Sequence, residues 1–217
     1  MDLEAGEIQI DTHPRRGKAR VVSIDGHDVR TTSIEALVAA RIESGDRMTA
    51  DKLDLLLGEV EAEAATARAL RLLGHRERSP GELSNRLTDD GYPAHVVRDV
   101  VARMDDIGAV DEGRFSESYV RAKMASGWGR ERIIRGLRSA GIDPDRASAL
   151  VEREAPEARE LDRALMILPD DPPRDRRERE RLLRRLVSRG FSYDVALSAI
   201  EHRSRHDDDR RGNRFES

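Results

Sequence analysis

The 217-residue chain contains no cysteine, which removes disulfide staples, thiolate chemistry and cysteine-ligated zinc together. Aromatic residues make up only 3% of it, so any core must be aliphatic. No apolar run approaches the ~18 residues of a membrane span, and the opening MDLEAGEIQI has neither a basic lead nor an apolar stretch. These absences predict a cytoplasmic protein that is neither exported nor membrane-bound. Lysine stands only at positions 18, 52 and 123, so nearly all positive charge sits on planar guanidinium groups.

Catalytic signatures are also missing. The sequence has no phosphate-cradling GxxxxGK[ST] loop and no nucleophile elbow. Of the histidines at 13, 27, 75, 95, 202 and 206, only His202 and His206 stand at helical spacing, and they lack a third ligand. The acidic pairs Asp89-Asp90 and Asp105-Asp106, and the run Asp207 to Asp209, fall at helix ends or in the tail and read as solvated charge. The expectation is a protein that is not an enzyme, with no cofactor, no metal and no small-molecule substrate.

Charge is abundant but interleaved: 38% of residues are charged, yet the formal net charge is only -4. Its placement is uneven. Residues 1–66 carry 14 acids against 8 basic residues, whereas residues 174–189 carry 8 arginines against 3 acids. General attraction to a polyanion is not implied, although a local basic surface is.

Internal repetition organises the chain. ELSNRLTDDGY (82–92), RIIRGLRSAGI (132–142) and RLLRRLVSRGF (181–191) share one pattern, in which Leu83, Leu87, Gly91 and Tyr92 align with Ile133, Leu137, Gly141 and Ile142, then with Leu182, Leu186, Gly190 and Phe191. The spacing is 50 residues, then 49. Apolar residues four apart followed by glycine predict a helix closed by a left-handed stop. Start signals follow each glycine at Pro93, Asp143-Pro144 and Ser192, and another apolar-periodic segment precedes each unit. SPGE at 79–82 marks a helix start with a serine cap, a proline in the first turn and a glutamate completing a capping box; DDPPRD at 170–175 plays the same part in the third unit.

The predicted fold class is therefore all-α: tandem three-helix repeats in an elongated curved array, behind a small N-terminal element. In that element Asp25-Gly26 separates two β-prone runs and predicts a hairpin, and TSIEALVAARIESG and TADKLDLLLGEVEAEAATARALRLL read as helices, the second running into the first repeat. The expected segments are 1–62 for the N-terminal element, 63–108, 109–155 and 156–204 for the repeats, and 205–217 for a charged, aperiodic, disordered tail.

On a helical wheel, Ile133, Ile134, Leu137 and Ala140 share one side of the middle helix of the second repeat, leaving Arg132, Arg135 and Arg138 on the other. In the third repeat Arg174, Arg177, Arg181 and Arg184 lie opposite Leu182, Leu183 and Leu186. Arg132 aligns with Arg181 and Arg135 with Arg184, while the first repeat has Glu82 and Asn85 there. A single arginine face is usually only solvated; recurrence at equivalent positions favours a binding surface. Just upstream, GWG presents Trp128 either as a cap on a helix junction or as an interface anchor. Gly127 and Gly129 give the turn backbone freedom, and a β-carbon at either is expected to clash.

The run RLLGHRERSPGELSNRLTDDGY, with DEGRFSESYVRAKMASGWGRERIIRGLRSAGI, closely resembles the RecX family of bacterial recombination regulators. The resemblance extends from about Ala19 to His202 and is strongest from Arg71 to Ile142. It implies tandem three-helix repeats and binding to the RecA recombinase in the groove of its nucleoprotein filament, with inhibition of ATP hydrolysis, strand exchange and co-protease activity, and with weak direct DNA contact as an accompaniment. The basic surface it carries over comprises Arg76, Arg78 and Arg114, then Arg121, Lys123, Arg130, Arg132 and Arg135; Phe115 and Tyr119 are assigned to the core. The chain departs from the family pattern at Asp89-Asp90, where basic residues commonly precede the glycine. The rival reading is a helix-turn-helix-like DNA-binding regulator, since three-helix units with an arginine-bearing helix describe such domains as well.

Overall fold

The computed structural model describes residues 5–212, with side chains through residue 205. The chain divides into two compact units, Met1–Asp111 and Glu112–Ser217.

The first unit opens with strands β1 (Gly6–Thr12), β2 (Ala19–Ile24) and β3 (His27–Ser33), helix α1 (Ile34–Ala40), the two-residue strand β4 (Arg47–Met48) and the long helix α2 (Ala50–His75). The hairpin read at Asp25-Gly26 joins β2 to β3, and both turn residues have positive φ, 48° and 80°, as a type I′ turn demands. Where the sequence reading has only this hairpin, the sheet has four strands in the order β3-β2-β1-β4. The added strands are held from a distance: β1 pairs antiparallel with β2, Ile8 opposite Ile24, and its Gly6 lies opposite Met48.

Helix α2 runs through the expected boundary at 62/63. Leu53 and Leu57 pack with Ile8, Val22 and Leu37 of the N-terminal element, whereas Ala65, Ala69 and Leu72 belong to the core of the first repeat. Between them Glu61 is buried, accepting hydrogen bonds from Thr32 Oγ1 at 2.8 Å and Arg30 Nη2 at 2.7 Å. A buried carboxylate is tolerable only when so satisfied.

Three helix triplets follow. The C-terminal half of α2 packs with α3 (Pro80–Asp90) and α4 (Ala94–Asp106); the second triplet is α5 (Glu112–Ala125), α6 (Arg130–Ser139) and α7 (Pro144–Glu154); the third is α8 (Glu160–Ile167), α9 (Arg176–Ser188) and α10 (Tyr193–Gly212). Each has its own core, mainly aliphatic but with one buried aromatic residue, Tyr92, Phe115 or Phe191, and the aligned pairs Leu83/Leu87, Ile133/Leu137 and Leu182/Leu186 are buried in theirs. Burying one such side chain fully is worth about 1.5–3 kcal/mol. The repeat glycines stop their helices as the pattern requires, with φ of 102° at Gly91, 86° at Gly141 and 92° at Gly190.

The start signals also form as read. Ser79 caps α3, its hydroxyl accepting the Glu82 N–H at 3.0 Å, with Pro80 in the first turn. Asp143 caps α7, and Asp175 caps α9 by accepting the Glu178 N–H at 2.7 Å. With Leu83, Ile133 and Leu182 superposed, α3 and α6 each begin three residues earlier and α9 six, so α9 carries an extra N-terminal turn.

Two local expectations change. Asp90 is buried rather than solvated, because Arg68 on α2 turns inward and donates to it from Nε at 2.6 Å. The tail expected to be disordered from 205 instead prolongs α10 to Gly212, with an Arg205–Glu201 pair one turn apart; extending an existing helix costs far less than nucleating one. Residues 213–217 lie outside the described residues, as does the side chain of His206. Among the described residues no helix is long and apolar enough to cross a membrane.

Candidate functional site

In the second unit the GWG turn is the place where two repeats meet. Gly127 takes the left-handed conformation that ends α5, φ 73°, and the Arg189 guanidinium donates to the carbonyls at that end, Ser126 O at 3.1 Å and Gly127 O at 3.3 Å. Cations are favoured at a helix C-terminus for this reason. Gly129 then begins α6 without a side chain to cap it. The caps come from the third repeat instead: the N–H of Gly129 donates to Arg189 O at 2.9 Å, that of Arg130 to Glu160 Oε1 at 3.0 Å, and that of Glu131 to Gly190 O at 3.1 Å.

The contact is backbone on backbone. A β-carbon on Gly129 would stand 2.3 Å from the carbonyl of Gly190, and one on Gly190 would stand 2.3 Å from Cβ of Arg132. Both glycines are required by the approach itself, so the C-terminal end of α9 meets the N-terminal end of α6. Arg132 tightens the joint by donating to Ser188 O at 3.4 Å.

Trp128 is half-buried against the core of the second repeat, and its ring is covered by cations. Lys123 Nζ lies 4.6 Å and the Arg132 guanidinium 3.9 Å from the ring centroid, and Lys123 also sits 5.2 Å from the Tyr119 ring. Cation–π contacts of this kind contribute roughly 0.5–2 kcal/mol each. Of the two sequence readings of Trp128, the geometry matches the junction cap. Phe115 is buried and stacks on the half-buried Tyr119 with centroids 5.9 Å apart.

The arginines separate into held and exposed groups. Arg78 is buried, donating to Leu72 O at 3.2 Å, and burial pushes its guanidinium below its usual range. Arg130 is engaged by Glu152 at 2.5 Å and Ala155 O at 3.0 Å. Both therefore serve the fold. Arg76 pairs with Glu82 at 2.8 Å and Arg121 loosely with Glu117 at 3.8 Å, while Arg114 is exposed on α5. Arg181 and Arg184 are exposed on α9, leaning on Glu178 and Glu180 at 3.1 and 4.0 Å. Arg135 and Arg138 are exposed on α6 without an ion pair among the described residues. Arg181 and Arg184 on α9 and Arg132 and Arg135 on α6 thus lie on two helices that meet end to start at this junction.

Sequence reasoning missed Arg189, Gly190 and Glu160 as parts of this junction. The glycine in GWG hinted at a close approach, but nothing local named its partner 60 residues on.

Units of three helices, each with a private, mainly aliphatic core and a left-handed glycine, make this a tandem helical-repeat protein with an arginine-bearing junction. Family models for the RecX first and second three-helix domains match residues 65–104 and 111–149. The regulatory protein RecX of Chromohalobacter salexigens is 34% identical over 146 residues, spanning 66% of this chain and 96% of that protein. That of Mycobacterium sp. strain KMS is 35% identical over 149 residues, 64% of this chain and 80% of its own. The chain belongs to the RecX family of regulatory proteins. Its fold agrees with two solved structures: a crystal structure of regulatory protein RecX, with a TM-score of 0.54 at 19% identity over 91% of this chain and 99% of the other, and the RecX of Lactobacillus salivarius, with 0.56 at 20% over 66% and 97%.

Proposed function

We propose that this chain is a non-enzymatic, cytoplasmic regulator that binds the RecA recombinase, above all as its filament on DNA, and restrains ATP hydrolysis, strand exchange and co-protease activity. Membership of a family of regulatory proteins supports it, as does the resemblance described above. The observation that carries it is the α9–α6 junction, where backbone hydrogen bonds join two helices of successive repeats that both bear exposed arginines. A body with two such elements can touch two neighbouring protomers at once, so it favours filament over free subunit by multivalency.

The test uses Arg135→Glu, Arg181→Glu and Arg184→Glu together. Arg132 is spared because it is spent on Trp128 and Ser188. Exposed arginines contribute roughly 0–1 kcal/mol to folding, whereas reversing charges in an interface slows association and weakens binding by several kcal/mol. Far-UV helicity and melting should stay near the parent, while the concentration needed to halve RecA ATPase on single-stranded DNA rises at least about tenfold. Undiminished inhibition would place the binding surface elsewhere.

The second reading is direct DNA binding through the same arginines, which the three-helix units keep open. Affinity for DNA without RecA, falling steeply with salt, would favour it. The net charge of -4 and the glutamates beside Arg181 and Arg184 weigh against it.

A further inference from the structure

We infer that Glu160 is a positioning residue: its buried carboxylate, belonging to the third repeat, pins the first turn of α6 in the second and so fixes how the arginines of the two repeats are presented. The inference rests on the regulatory reading only for what those arginines bind.

Glu160 is 4% exposed and opens α8, where its own helix makes no use of it as a cap. Its Oε1 accepts the N–H of Arg130, the first residue of α6. A helix leaves its first N–H groups without intrahelical partners, and a carboxylate there is favoured by both hydrogen bonding and the helix dipole. In most helices the side chain of the residue just before the first turn holds that turn by accepting the second or third of these N–H groups. Here that residue is Gly129, which must remain glycine because Gly190 lies against it. A tight backbone contact and a local cap exclude each other at this position. The turn is held from the third repeat instead: Glu160, 30 residues away, takes its first N–H, and Gly190 O takes that of Glu131.

The guanidinium of the same residue is tied to Ala155 O and Glu152, so Arg130 is held at both ends, by α7 through its side chain and by α8 through its backbone. Two residues further along α6 is Arg132, over Trp128 and reaching Ser188. Loosening the first turn therefore displaces a cation from the only tryptophan, which gives the junction its own spectroscopic signal.

The absence of native cysteine allows spin labels to be placed cleanly at Ser139→Cys on α6 and Val187→Cys on α9. In this labelled protein, Glu160→Ala should broaden the α6–α9 distance distribution and shift Trp128 emission while far-UV helicity is kept. It should also weaken RecA inhibition by about tenfold, the scale of losing one charged cap. Glu160→Gln keeps an acceptor oxygen and should restore the narrow distribution and the parental emission. A distribution and emission unchanged by Glu160→Ala would overturn the positioning role, whatever happens to RecA. A broadened distribution with full RecA inhibition would sustain that role and instead count against the α9–α6 arginines as the binding surface.

Discussion

The middle helices of the first and second repeats share one pattern but not one source of stability. Helix α3 is capped from within its own sequence, Ser79 taking the Glu82 N–H. Helix α6 has no such means, and the N–H groups of Gly129 before it and of its first two residues are satisfied by Arg189, Glu160 and Gly190 of the following repeat. The stop glycines differ likewise: Gly91 lies against the backbone of Thr32 in the N-terminal sheet, Gly190 against the start of α6. One repeat motif is thus completed locally in one place and by its neighbour in the other. The neighbour-dependent helix carries exposed, unpaired arginine at both Arg135 and Arg138.

Breaking the junction should have the largest effect. Gly190→Val adds a β-carbon 2.3 Å from Cβ of Arg132 at φ 92°, combining overpacking with backbone strain, and should cost about 3 kcal/mol or more in the second unit. Thermal melting with Trp128 emission as probe reads it; a parental melting temperature would contradict the contact. Gly141→Val, placing valine in the left-handed region at φ 86°, should cost about 1 kcal/mol or more by the same measurement.

Removing the local cap should do less and in another place. Ser79→Ala should cost about 1 kcal/mol in the first unit and leave Trp128 emission untouched, because that cap is internal to the repeat. A loss of Trp128 signal along with it would blur the distinction between the two helices.

The smallest effect concerns the residue after the stop glycine. Tyr92 occupies the position of Phe191, yet its buried hydroxyl, beside Ser33, makes no well-formed hydrogen bond among the described residues, and burial pushes its pKa up to about 12. Tyr92→Phe should therefore be neutral or stabilising, by about 0–1 kcal/mol. In the parent, both states keep the proton below the ordinary tyrosine value of 10.0. Between there and about 12 the unfolded chain releases it while the folded chain holds it, so stability falls as pH rises. Denaturant titrations at pH 9 to 11 should show that decline in the parent and a shallower one in the phenylalanine variant.

Much of this was legible in the sequence because the determinants are local. Apolar residues four apart, a glycine after them and a cap signal beyond it are all contained in a dozen residues, and all three repeats could be found from them. What was hidden depends on distant partners. β1 and β4 need each other's edges; Asp90 looks solvated until Arg68, 22 residues upstream, turns inward. Arg78 and Arg130 entered the expected surface through the family resemblance, which does not show that Leu72 O holds the one and Glu152 and Ala155 O the other. Glu160 lay unremarked at the head of a helix, since only the structure shows that Gly129 has surrendered its cap.

The extra turn on α9 has a consequence for assembly. The position equivalent to Ser79 and Gly129 in the third repeat is Glu178, already inside a helix that Asp175 caps for itself. A further stop glycine arriving there would meet side chains and a completed first turn in place of bare backbone with vacant N–H groups. The contact that joins the second repeat to the third therefore has no equivalent receiving position at the start of α9. The joint is one of a kind in its own unit: a helix that caps itself has nothing left to offer a neighbour.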